Sequence, residues 1–191
     1  MMNPRVPDDD ARLMIRVSEG DRKAFERLYE KFRRPVMTYA FSLVRNLSLA
    51  EELTQETFLK IYRVRDSYQP SARFSTWLWT IAHHACMDQL RKGKETHFVD
   101  PGEDGPGIRL EDLESPVTDA EAQLLKHSET KRVEHCISCL GSSQREALIL
   151  RTVSEMSYEE ISQVMDVSLS SVKSLIFRAK NALMECLKGL E

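Results

Sequence analysis

The chain has 191 residues, of which 30% are charged and 7% aromatic, with 7 Gly and 7 Pro. That length fits one or two small domains, and the composition suits a soluble, helix-rich protein. No apolar run reaches the roughly 18 residues needed to span a bilayer, which excludes stable membrane insertion.

The net charge of −3 does not by itself point to nucleic acid, but its distribution is informative. Residues 21–92 hold 13 Lys/Arg against 8 Asp/Glu, a net of +5. Residues 93–125 hold 2 against 9, a net of −7, and residues 141–191 hold 6 against 7, a net of −1. A basic block, an acidic connector and a near-neutral block imply separate pieces, of which the first suits phosphates. Met1 to Asp10 carries three aspartates and no apolar core, so it does not read as a secretory signal. A cytoplasmic location follows as the expectation. Cys86, Cys136, Cys139 and Cys186 are then expected as reduced thiols rather than a disulfide framework.

In chain order, Asp8 to Val17 reads as a short amphipathic helix ended by Gly20. Asp21 is a good N-cap for the next helix, because its carboxylate can accept the free amide hydrogens of the first turn. Phe25, Leu28, Phe32, Val36, Tyr39/Ala40 and Leu43 then recur at the helical period, with Pro35 inside the run. Ser48, with Glu51 three residues on, has capping-box spacing for a third helix. Its inner stripe is Leu53, Thr57, Ile61 and Val64. Tyr68-Gln69-Pro70-Ser71 reads as a loop, and a fourth helix follows from about Arg73 to Lys92. Trp77 is expected in its core and Trp79 partly exposed.

Lys94 to Thr118 is rich in acids, glycine and proline and reads as a flexible linker, since it buries too little apolar surface to offset ordering entropy. Helix resumes near Asp119 and runs to Leu140. Three shorter helices are expected at about Ser142–Val153, Ser157–Met165 and Ser168–Leu190. No segment shows clean period-two alternation, so the fold class is all-α.

The strongest local pattern lies at the C-terminus. Ser157 to Met165 can form a short capped helix, Asp166-Val167 turns, and Ser168 caps a second helix. Val172, Ile176, Ala179 and Leu183 share one face of it and pack on Ile161, Val164 and Val167. The other face presents Ser170, Ser171, Lys173, Ser174, Phe177, Arg178 and Lys180. This is a helix-turn-helix pattern, in which the second helix enters the major groove. Small hydroxyl side chains near its N-terminus suit base edges, and Lys173, Arg178 and Lys180 suit phosphates. An ordinary helical hairpin with a solvated basic face is the competing interpretation.

These residues also carry a resemblance. Ser157-Tyr158-Glu159-Glu160-Ile161, Val167-Ser168, Ser171-Val172-Lys173-Ser174 and Phe177-Arg178-Ala179-Lys180 resemble region 4 of extracytoplasmic-function (ECF) sigma factors. Asp21 to Tyr29, Ala50 to Arg63, Phe74 to Ala82 and Asp88 to Lys92 resemble region 2 of the same family. Two blocks in the right order, about residues 20–92 and 126–185, support each other. The family usually has Arg-Asn at His83-His84, a Leu-Pro pair where Gly141 follows Leu140, Gly at Asp166 and often Arg at Leu175.

The resemblance implies an alternative sigma factor with no active site of its own and no cofactor or metal. It implies a region 2 domain over residues 1–92, an acidic linker over 93–125 and a region 4 domain over 126–191. Its partners would be core RNA polymerase (β′ clamp and β flap), promoter DNA and an anti-sigma factor. Glu52, Gln55, Glu56 and Lys60 would dock on the polymerase. Arg65, Tyr68, Gln69, Arg73, Trp79, His83 and His84 would contact the −10 element, with the loop around Tyr68 and Gln69 capturing an extruded base. Ser170, Ser171, Lys173, Ser174, Phe177, Arg178 and Lys180 would read the −35 element. Two other classes compete. One is a conventional helix-turn-helix regulator, which needs a ligand pocket or dimer helix. The other is a thiol or zinc sensor built on the Cys136-x-x-Cys139 spacing.

Overall fold

A computed structural model describes residues 8–70, 73–95 and 131–189, the side chains of 93–95 excepted. All regular structure among the described residues is helical. The helices are α1 (Asp9–Ser18), α2 (Arg22–Val44), α3 (Leu47–Arg63), α4 (Phe74–Glu95), α5 (residues 131–138), α6 (Ser142–Thr152), α7 (Tyr158–Met165) and α8 (Leu169–Lys188), with a single 3₁₀ turn at Arg65–Ser67. The expected linker lies outside the described residues from position 96 onward, as does the start of the helix expected from Asp119.

Local chemistry sets the helix ends. The Asp8 and Asp21 carboxylates accept the amide hydrogens of Ala11 and Ala24, so α1 and α2 begin at acidic caps. Asp21 also accepts from Arg16, which ties the two helices together. These hydrogen bonds, that of Ala24 first, hold the Asp21 carboxyl below the usual carboxylate range. Helix α2 runs unbroken through Pro35 and ends on Arg45 in the left-handed region. The cap of α3 is Asn46, not Ser48. The Asn46 side chain accepts from Leu49 N–H and starts the helix two residues earlier than the expected box.

The N-terminal helices pack around Leu28, Val36, Tyr39, Leu53, Phe58, Ile61, Phe74 and Leu78, all buried. Helix α4 has a second covered side. It packs on α7 as well as on α2 and α3, and Trp79 is only 1% exposed, its ring edge-on to Tyr39 at 5.3 Å. Trp77 is half-buried and tilts against the Tyr68 ring at 5.0 Å. The two tryptophans are therefore exchanged relative to expectation. The helical period identifies one inner face, and α4 buries two.

The C-terminal helices close around Ile161, Val164, Val172 and Ile176, with a smaller cluster of Leu140, Leu148 and Ala179. Cys136 on α5 and Cys186 near the end of α8 form a disulfide, which corrects the expectation of four reduced thiols. Cys86 and Cys139 are free. Burial, with Glu146 and Glu56 adding, pushes the Cys86 thiol up to about 12, so it is an inert core residue. Cys139 is exposed, and its Cys-x-x-Cys neighbour Cys136 is the one bonded to Cys186.

The Cys136–Cys186 crosslink closes a stretch of 50 residues in sequence. Loop-closure entropy on that scale is worth about 2–4 kcal/mol. Cys186→Ser is expected to lower C-terminal stability by that amount in oxidising buffer and to change nothing under a reducing agent. Urea melts with and without dithiothreitol measure both.

Candidate nucleic-acid interface

Helices α7 and α8 form the expected helix-turn-helix. The α7 start is a complete capping box. The Ser157 side chain accepts from Glu160 N–H, and Glu160 Oε2 accepts from Ser157 N–H at 2.8 Å. Asp166 takes the left-handed turn position at φ 51°, where a short polar side chain is tolerated. Ser168 then caps α8 through Ser171 N–H. Val172, Ile176 and Ala179 are buried. Ser170, Ser171, Lys173, Ser174, Phe177, Arg178 and Lys180 are exposed, Phe177 to 65%. One helix edge thus carries small hydroxyl groups at its N-terminal end and cations further along.

On α3 the buried set Leu53, Thr54, Thr57, Phe58 and Ile61 leaves Glu51, Glu52, Gln55, Glu56 and Lys60 exposed on the opposite side. Leu59, 55% exposed, and Tyr62, 36% exposed, extend this surface with apolar area. They belong to the same edge, and the amphipathic pattern alone did not single them out.

The residues expected at the −10 element divide. Gln69, Arg73 and His84 are exposed, and Arg65 is half-buried with its guanidinium 4.5 Å from the Tyr62 ring. Tyr68 is half-buried, and burial, aided by the charges of Asp8 and Asp10, pushes its phenol up to about 12. Trp79 is in the core and has no surface with which to stack on a base.

His83 is also buried. Its Nδ1 lies 2.6 Å from Glu146 Oε1 on α6 and 3.2 Å from the Tyr39 hydroxyl, which donates to the same Glu146 oxygen at 2.6 Å. Burial first, then the Glu146 charge, raises the Tyr39 pKa well above its ordinary value, so the phenol remains a donor. At the start of α4, Thr76 donates to Glu160 Oε1 at 3.1 Å, and Nη1 of Arg73, just before the helix, lies 3.8 Å from the same oxygen.

Burial acts to raise the Glu160 carboxyl. The hydrogen bonds from Ser157 and Thr76 and the Arg73 charge outweigh it and hold the group below its ordinary value. This stabilisation is present above the unfolded-state pKa and fades as pH falls through the folded one. A cavity of about 580 Å³ lies between α4, α6 and the start of α8, lined by His83, Met87, Glu146, Ser170, Ser174 and Arg178 among others. In the sequence Glu146 and Glu160 each look like an ordinary solvent-facing acid on a short helix, and no local signal marks them.

Family comparison matches Sigma-70 region 2 over residues 28–96 and Sigma-70 region 4 over residues 130–183. The RNA polymerase sigma-H factor of Pseudomonas aeruginosa is 31% identical, over 96% of this chain and 96% of that protein. The ECF RNA polymerase sigma-E factor of Escherichia coli is 32% identical, over 91% of this chain and 92% of that protein. Among solved structures, the sigma factor RpoE of Bartonella quintana, in complex with the anti-sigma factor NepR, superposes with a TM-score of 0.67 at 26% identity, covering 87% of this chain and 98% of that one. CnrH, solved with the cytosolic domain of CnrY, shares the fold at a TM-score of 0.68 and 22% identity, over 95% of this chain and 99% of that one. With the helix-turn-helix in place and both regions matched in order, the chain belongs to the ECF sigma factors of the sigma-70 family, RNA polymerase specificity subunits that direct promoter-specific transcription initiation without an active site of their own.

Proposed function

We propose that this sigma factor divides its work between a domain over residues 1–92 and a domain over residues 126–191, joined by the acidic connector 93–125. The exposed α3 edge, Glu52, Gln55, Glu56 and Lys60 with Leu59 and Tyr62, docks on the basic coiled coil of the β′ clamp. Charge complementarity and the apolar patch both favour it. Arg65, Tyr68, Gln69, Arg73 and His84 serve the −10 element, and His83 joins them once Glu146 releases it. Trp79 has no place in this set. The chain works in the cytoplasm, where polymerase and promoter are. Among the described residues no helix is long and apolar enough to cross a membrane. An anti-sigma partner is supported by the solved relative bound to NepR.

The observation that carries the −35 assignment is the exposed edge of α8. Ser170, Ser171 and Ser174 are short enough to sit against base edges, whereas Lys173 and Arg178 reach phosphates. The test is transcription by reconstituted holoenzyme on a panel of −35 variants at two salt concentrations. Ser174→Ala is expected to change the ranking of promoters, by about 1–3 kcal/mol for a good base contact. Arg178→Ala is expected to weaken all promoters alike and to lower the salt slope by about one counterion. The opposite pattern would mean that α8 docks with a different rotation.

A further inference from the structure

Cys136 of α5 is bonded to Cys186 near the end of α8, and Cys139, three residues past Cys136, is a free thiol. The three sulfurs differ in access. Cys136 is 1% exposed, Cys186 is half-buried and Cys139 is exposed. The Cys139 amide donates to the His135 carbonyl, so Cys139 still belongs to the last turn of α5. Helix geometry puts the Cα atoms of Cys136 and Cys139 about 5 Å apart, inside the span that a disulfide bridges. Cys136 is therefore within reach of two partners, one in contact with solvent and one on α8.

The groups around these sulfurs suit exchange. His135 Nε2 lies 3.9 Å from Cys139 Sγ, where it can take the thiol proton. Arg45 and Arg145 both donate to the Ser138 carbonyl, one residue before Cys139, at 3.2 and 2.9 Å. Arg132, one turn before Cys136, donates to the Leu187 carbonyl, next to Cys186, at 3.4 Å. Its Nε is buried without a hydrogen-bond partner among the described residues. Guanidinium groups thus stand beside the neighbours of both Cys139 and Cys186, where negative charge collects on sulfur during exchange.

We propose that Cys139, Cys136 and Cys186 form a thiol–disulfide exchange site for low-molecular-weight disulfides, with Cys139 as the entry thiol and the Cys136–Cys186 crosslink as the product. Cys139 attacks the small disulfide, its proton passing to His135. A mixed disulfide forms at Cys139, and one small thiolate leaves. Cys136 attacks Cys139 Sγ, which forms Cys136–Cys139 and releases the second small thiol. Cys186 then attacks Cys136 Sγ, which closes Cys136–Cys186 and returns Cys139 as a thiol. Each attacking thiol gives up one proton, and each departing sulfur takes one. Two thiols of the chain are oxidised, and one small disulfide is reduced to two thiols. An excess of small thiol drives the same steps backward. Disulfides of cytoplasmic proteins are mostly of this transient kind. The ratio of small disulfide to thiol then decides whether the end of α8 is tied to α5. This chemistry is independent of the promoter roles assigned above.

The experiment starts from the reduced full-length chain, adds oxidised glutathione, quenches with iodoacetamide at set times and follows each linkage by peptide mass spectrometry. Cys139→Ser is expected to form Cys136–Cys186 at least about tenfold more slowly than wild type, since it lacks the prepositioned thiol. Its final yield is expected to match wild type, because the product bond does not contain Cys139. Cys186→Ser is expected to accumulate the Cys136–Cys139 bond, the trapped intermediate. Crosslinking in Cys139→Ser within about twofold of the wild-type rate would overturn the proposal, because Cys186 would then take up the oxidant directly. A Cys186→Ser chain that gives only the glutathione adduct at Cys139 would overturn it as well. If Cys139→Ser loses helical circular dichroism, Cys139→Ala carries the same rate measurement. A merely structural role for Cys139 would change stability and would leave no Cys136–Cys139 bond in the trap.

Discussion

Trp79→Ala is expected to cost about 3–5 kcal/mol of stability, the range for deleting a large aromatic side chain from a packed core. The indole is 1% exposed and lies edge-on to Tyr39. Tyr39 in turn donates to Glu146, so the cavity left by alanine opens beside a buried hydrogen-bonded group. Trp77→Ala should cost clearly less, because Trp77 is half-buried and its contacts with Tyr68 and Phe74 lie at the edge of the core. Chemical denaturation of the two variants gives the order directly. A larger loss for Trp77 would mean that α4 is rotated about its axis from the position described, and would return Trp79 to the DNA-facing surface.

The exchanged roles of Trp77 and Trp79 show what periodicity can and cannot convey. The helices, their order and the helix-turn-helix were legible, because one apolar face per helix and a capping residue at each start suffice to locate them. Asp21 and Ser168 cap where their side chains predict. Asn46 replaced Ser48 because either side chain can cap, and only the path of the chain after α2 decides between them. A helix covered on two sides leaves no clean polar face to read. Helix α6 is the clearest case. Arg145 and Glu146 stand just ahead of its apolar run Ala147–Leu150 as ordinary charged residues, yet both are buried because α2, α7 and α8 surround the helix. The disulfide was hidden for a related reason. Cys136 and Cys186 are far apart in sequence, and only the packing of α5 beside the end of α8 brings them together.

Arg145→Ala is expected to be strongly destabilising for a polar substitution. Its guanidinium donates to four carbonyls: Ile137 at 3.1 Å, Ser138 at 2.9 Å, Leu140 at 2.7 Å and Ser42 at 2.8 Å. Three of these lie at the carboxyl end of α5 and just beyond it, where helix geometry leaves carbonyls without partners. The fourth is on α2, so one side chain both caps α5 and joins the two halves of the chain. Burial, and then the charge of Arg45, lowers the Arg145 pKa from its ordinary value, which is the cost of placing a cation there. A buried carbonyl left without a donor costs about 1–3 kcal/mol. Ile137 keeps the Leu140 amide and Ser138 keeps Arg45, so the Leu140 and Ser42 carbonyls are the ones left short, which implies a total loss of about 2–4 kcal/mol. Arg145→Lys should recover only part of it. An ammonium has three donors on one atom and cannot present the planar fork that reaches carbonyls on two sides. Thermal or urea melts of the two variants test the magnitude, and hydrogen exchange locates it, with the Cys139 and Leu140 amides that close α5 expected to lose protection first. A lysine variant as stable as wild type would show that charge alone, and not the fork, holds α5 in place.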